Sequence, residues 1–164
     1  MGKSGGVEIR SDRVFRLPIS RDEVWQRIIV VADYQTWWPW LRGFDGTALL
    51  PGAVWRFTLR APPLRYAIHG DVCLHTVIEP WLIGAELTGD LTGQAQIALR
   101  SLPKGTEARL LSRLVASRQP LSAVARAVPS LARRAHDHVL NTAARQFTTA
   151  SGAGVAPATT GLPA

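Results

Sequence analysis

Phe15-Arg16-Leu17-Pro18-Ile19-Ser20-Arg21-Asp22-Glu23-Val24-Trp25 holds a strand end, a stop, a helix start and a first large apolar anchor. Pro18 cannot donate to a sheet ladder, so the strand that begins near Glu8 ends there. Ser20 and Glu23 have the spacing of a capping box, in which the hydroxyl accepts from the Glu23 amide and the Glu23 carboxylate reaches back. Val24, Trp25, Ile28 and Val31 then recur three or four residues apart. That spacing predicts a helix over about 21–31 with those side chains as its buried stripe.

The next stretch, Tyr34-Gln35-Thr36-Trp37-Trp38-Pro39-Trp40-Leu41, is dense in aromatic residues. Pro39 disfavours helix at Trp38, so it predicts at most one short helix and a turn. These rings fit a plug that closes one end of the core, or an aromatic lip on a ligand cavity, and the two are compatible. From Gly43 to Ser117 turn residues punctuate strand-length segments. Strands are expected near 44–49, 53–60, 65–79, 82–89, 93–101 and 106–117, about seven with the first. Their short connections imply antiparallel pairing.

After Pro120 the period becomes helical. Val124, Val128, Leu131, Ala135, Val139, Ala143 and Phe147 form one apolar stripe. Pro129 is expected to kink this helix or to divide a short lead-in from a main helix over about 130–149. Residues 1–7 read as a flexible N-terminus, 8–150 as one domain, and the Gly-, Ala-, Pro- and Thr-rich 151–164 as a disordered tail.

The chain has 164 residues, 46% of them apolar and 19% charged, which suits a domain with a real core and excludes wholesale disorder. No apolar run is long enough to span a membrane. With Cys73 as the single cysteine there is no internal disulfide and no thiolate zinc cage. No hydrophobic signal stretch opens the sequence, so a cytoplasmic protein is expected. The formal charge of +7 favours anionic partners in general, but the arginines are scattered rather than blocked, and nucleic acid is not the expected partner.

The order strand, helix, small helix, six-strand meander, long C-terminal helix resembles the START-like, or SRPBCC, superfamily. The matching text is the stretch quoted first, then Trp37-Trp38-Pro39-Trp40, Pro51-Gly52-Ala53-Val54-Trp55, Gly89-Asp90-Leu91-Thr92-Gly93 and Ala135-His136-Asp137-His138-Val139-Leu140. The resemblance implies an α+β helix-grip fold: a curved antiparallel sheet around a long helix, with an apolar pocket between them. It covers members that transport lipids and members that resemble polyketide cyclases and dehydratases, so it implies a cavity and leaves the reaction open.

Strand parity assigns the faces. Ala53, Trp55, Phe57 and Leu59 share one face of their strand. Tyr66, Ile68, Gly70, Val72, Leu74, Thr76 and Ile78 share one face of the next. The expected pocket lining is Trp38, Trp55, Phe57, Tyr66, Ile68, Leu87, Ile97 and Leu110, with Val139 and Ala143 from the last helix. Tyr66, Thr76 and Ser112 are the polar groups expected on that lining. His69, Asp71, Cys73, His75 and Glu79 offer metal-type donors at one parity. Neighbours on one strand face lie about 6.6–7 Å apart, so His69 and His75 are about 20 Å apart, too far to share an ion. A solvated strand face is expected, and no metal, although a β-bulge could turn His69 or His75 toward the cavity.

Two functional classes follow. One is a protein that holds a hydrophobic small molecule, lipid- or polyketide-like, between sheet and helix, with no cofactor and no stable membrane insertion. The other is a polyketide cyclase or dehydratase-type enzyme in which Tyr66 or His136 assists proton transfer on a substrate in the same pocket. Two titratable side chains converging inside the cavity would favour the second.

Overall fold

The computed structural model describes residues 8–60, 66–118 and 129–150, with side chains in the last segment from Arg133 onward. Seven strands form one curved antiparallel sheet: β1 (Glu8–Leu17), β2 (Leu41–Arg42), β3 (Val54–Leu59), β4 (Ile68–Ile78), β5 (Leu82–Gly89), β6 (Leu91–Leu102) and β7 (Gly105–Ala116). The spatial order is β1-β7-β6-β5-β4-β3-β2. Strands β2 to β7 are therefore a meander, and β1 returns to the far edge, where Glu8 faces Val115 and Leu17 faces Thr106. Helix α1 (Arg21–Ile28), a 3-10 turn at Val31–Asp33 and helix α2 (Tyr34–Trp37) follow β1. The long helix α3 (Pro129–Ala150) packs on the apolar face of the sheet, its Phe147 joining a core with Trp55, Leu74 and Leu99. This is the helix-grip architecture that the resemblance implied.

Local chemistry accounts for the boundaries. Ser20 caps α1 as expected, its Oγ accepting from the Glu23 amide at 3.2 Å. The reciprocal arm is absent, because the Glu23 carboxylate instead accepts from Arg27 one turn on, at 2.7 Å. Helix α1 stops at Ile28, short of the expected Val31. The run Ile28-Ile29-Val30-Val31 is wholly β-branched and loses side-chain freedom in a helix. Val31 is nonetheless buried, carried inward by the 3-10 turn. Pro129 is the first residue of α3, where its missing N–H costs nothing. The expected lead-in before it, the N-terminal segment and the tail lie outside the described residues, as do the side chain of Leu131 and residues Val124 and Val128.

Two expectations need correction. No strand forms near 44–49; the seventh strand is the two-residue β2. Side chains replace a ladder there: Asp45 Oδ1 accepts the Arg56 amide at 2.6 Å, and the Ala48 carbonyl accepts the Trp55 indole N–H at 3.0 Å. Gly43, at φ 53°, turns the chain off β2 in a conformation that glycine tolerates best. The second correction concerns β4. Leu74 faces Ala85 and Thr76 faces Gly84, so one extra residue, His75, is inserted between two pairs. Parity inverts past this bulge. Val77 packs on the core, while Ile78 is half exposed. Thr76 leaves the apolar lining, and its hydroxyl meets the exposed His75 ring at 2.8 Å.

Candidate ligand-binding cavity

A cavity of about 280 Å³ lies between α3 and the sheet, at the end that α1 and α2 close. Strand β1 supplies Phe15 and Leu17, and α1 supplies Val24 and Ile28. Tyr34, Trp38, Leu49 and Trp55 form the aromatic side. Ile83, Ile97, Leu99, Ala108 and Leu110 form the floor, and Leu140, Ala143, Ala144 and Phe147 the roof. The aromatic side is rigid. Tyr34 packs edge-on to Trp38 and Trp55, with ring centres 5.2 and 5.9 Å away, and stacks on Phe44 at 5.8 Å.

Every polar atom these rings carry is spent on the protein itself. The Tyr34 hydroxyl donates to the Ile28 carbonyl at 2.7 Å, and burial pushes its phenol well above the ordinary range. The Trp38 indole donates to the Ala143 carbonyl at 3.0 Å, which ties the aromatic segment to α3. Trp40 does the same through the Gln146 side chain at 2.7 Å. The plug and the lip are thus one structure: these tryptophans close the core, and Trp38 also faces the cavity.

Of the ten residues expected to line the pocket, Trp38, Trp55, Ile97, Leu110 and Ala143 line this cavity. Phe57 and Ile68 are buried in the same core farther along the sheet, where the Phe57 ring covers Gly70 so closely that a Cβ there would lie 2.8 Å from it. Tyr66 and Leu87 are half-buried against that core, and Val139 is half-buried on α3. Parity identifies the apolar face but not which end of it stays open. The α1 stripe and Phe147 carried that signal, since the helices decide where the sheet is left uncovered.

The titratable candidates stand elsewhere. His136 is half-buried on α3, its Nε2 2.9 Å from the hydroxyl of the buried Ser112. Burial lowers its affinity for a proton, and the neighbouring Asp137 opposes that weakly. Asp137 accepts from the buried Ser11 at 3.0 Å, and Arg13 donates to Asn141 at 2.8 Å. These contacts make a polar seam between β1, β7 and the middle of α3. Burial raises the Tyr66 phenol, but Tyr66 lies on neither the seam nor the cavity wall.

On the opposite face of the sheet, His69 meets Thr58 at 3.1 Å and Asp71 lies 3.6 Å from Arg56. The bulge keeps His75 outside, over Gly84. Among the described residues no three His, Cys, Asp or Glu side chains gather as a metal site. Exposed pairs such as Asp12 with Arg109, at 2.6 Å, lace that surface. Trp81, at the β4–β5 turn, carries the Arg21 guanidinium 3.6 Å from its ring centre. No helix among the described residues is long and apolar enough to cross a membrane.

No protein-family model matches the sequence, and no curated protein matches it. Solved structures match the fold. A START superfamily protein from Mycobacterium smegmatis superposes with TM-score 0.67 at 13% identity, over 87% of this chain and 97% of its own. Norcoclaurine synthase from Thalictrum flavum, in complex with dopamine and hydroxybenzaldehyde, gives 0.64 at 11% identity over 88% and 87%. The di-domain ARO/CYC StfQ from the steffimycin biosynthetic pathway gives 0.66 at 9% identity over 88% of this chain, which spans 49% of that one. The chain has the START-like helix-grip fold.

Proposed function

We propose that this protein binds a small apolar or aromatic molecule in the cavity between sheet and α3. The observation that carries the reading is the chemistry of the wall: among its described residues Tyr34 is the one titratable side chain, and its hydroxyl is already bonded. A wall of this kind selects by shape and apolar area and offers no acid–base pair. Solved structures of the same fold include one with small aromatic molecules bound, which supports the reading by analogy. The reading needs no cofactor, nucleic acid or membrane insertion, and it suits a cytoplasmic setting.

A polyketide cyclase or dehydratase is the second reading. The His136–Ser112 pair is what favours it, because a neutral imidazole held 2.9 Å from a hydroxyl can accept a proton. It ranks lower because neither residue is on the cavity wall.

Cavity filling tests the proposal. Added methylenes in a packed core cost about 1–3 kcal/mol. Ala143→Leu should instead shift a denaturant melt by less than about 1 kcal/mol and weaken binding of an apolar dye. A large loss in the melt, with no dye bound to the wild type, would mean that the interior is a closed core. Native mass spectrometry of freshly purified protein would identify a retained ligand.

A further inference from the structure

A second cavity, of about 530 Å³, runs between β1, the last strand of the sheet, and α3. Its lining is mixed where that of the first is almost wholly apolar. Arg16 from β1 and His138, Asn141 and Arg145 from α3 supply polar walls, and no carboxylate stands among its described lining residues. On α3 these positions recur three or four apart and make one stripe, which Arg134 extends by a turn. Arg16 and Arg145 are exposed, and neither makes an ion pair with another described residue. The acidic groups of the neighbouring elements are committed elsewhere. Asp137 accepts from Ser11, Asp12 holds Arg109, and Glu107, which faces Arg16 across the ladder, holds Arg100 at 2.9 Å.

The two cavities have Phe15, Leu17 and Ala144 in common. The cationic groove and the apolar chamber are therefore adjacent along these three side chains. We propose that the natural occupant is an amphipathic anion: a single apolar chain or ring system in the chamber, with one carboxylate- or phosphate-type group held in the groove by Arg16 and Arg145. The proposal rests on the ligand-binding reading above and adds the charge and size of the ligand. A water-sized group takes about 30 Å³, so about nine or ten such groups fill the 280 Å³ chamber. That suits one short chain better than a two-tailed lipid. Guanidinium groups suit the head because their planar fork matches two oxygens of a carboxylate or phosphate.

Decanoate and decanol, each titrated against a bound apolar dye, separate the terms. Wild type should bind decanoate about five- to tenfold more tightly than decanol at low salt, with the ratio shrinking at high salt. In Arg16→Gln/Arg145→Gln the ratio should approach one. Arg42→Gln, a single charge removal on β2 at the opposite edge of the sheet, should keep the wild-type ratio. Equal binding of the two probes by wild type, or equal loss of preference in Arg42→Gln, overturns the anionic head while leaving the apolar cavity intact. Failure of both probes to displace the dye overturns the binding reading itself. Vesicles containing anionic phospholipid should not compete; displacement by them would overturn the single-tailed assignment.

Discussion

The same sheet and the same helix make two unlike contacts along one interior. Toward the C-terminal end of α3, Leu140, Ala143, Ala144 and Phe147 roof an apolar chamber walled by fixed aromatic rings. On the same helix His136 and Asp137, about a turn before that roof, and Asn141, next to Leu140, bond across to Ser112, Ser11 and Arg13. The chamber lacks partners for polar groups, and the seam supplies each one. Hydrogen bonds are directional and set the position and rotation of α3 on the sheet, whereas apolar contact tolerates a gap. The seam therefore holds the helix in place so that the chamber beyond it can stay unfilled.

That division of labour can be broken by degrees. The largest effect should come from the packed core beside the chamber: Leu74 is 1% exposed, and Leu74→Ala should cost about 2–5 kcal/mol in a denaturant melt. A loss as small as that of Ala143→Leu would mean that the core and the chamber are equally loose. Next comes the seam. Ser112→Ala strands the His136 nitrogen and should cost about 1–3 kcal/mol while leaving the dye's binding stoichiometry unchanged.

The seam should also respond to acid. The folded state lowers the proton affinity of His136 below its ordinary value of 6.5, so the unfolded chain binds the proton more tightly. Its contribution is present in full above that value and is lost as the pH falls from there through the lowered one. The groups facing it are Ser112 from β7 and Asp137 on α3, with Ser11 of β1 bonded to Asp137. His136→Gln should flatten the melting temperature between neutral and mildly acidic pH; an unchanged profile would remove His136 from the seam's energetics. The smallest effect belongs to the outer face. Asp12→Asn breaks a half-exposed surface pair with Arg109 and should leave the melting temperature within its scatter.

The order of elements was legible because punctuation and period coincide: Pro18 and Ser20 end one element and start another, and α3 carries its stripe to Phe147. The two-residue β2 was not legible, since its partners are set by Leu59 and Thr58 across a turn rather than by any pattern of its own. The bulge was foreseen as a possibility but could not be located. One inserted residue leaves an alternating sequence alternating, and only the partner strand, with Gly84 making room beneath His75, reveals where the count slips. The cavity was half legible for a related reason. Alternation separates inside from outside, but the open end depends on where α1, α2 and Trp38 sit, and that depends on indole bonds to α3 from 105 positions earlier in the chain.

The pairing of β1 with β7 also sets a timetable for the newborn chain. Each strand from β2 to β7 meets its partner soon after leaving the ribosome, but β1 waits for residues roughly a hundred positions downstream. Until then Phe15 and Leu17 have neither floor nor roof, and once β7 emerges its open edge is a template for any strand that arrives before β1. Pulse-labelled hydrogen exchange during refolding should find the amides of β1 protected after those of β4 to β6. The chain thus presents β1 well before its partner β7, and the interval between them is when this fold is most exposed to a wrong partner.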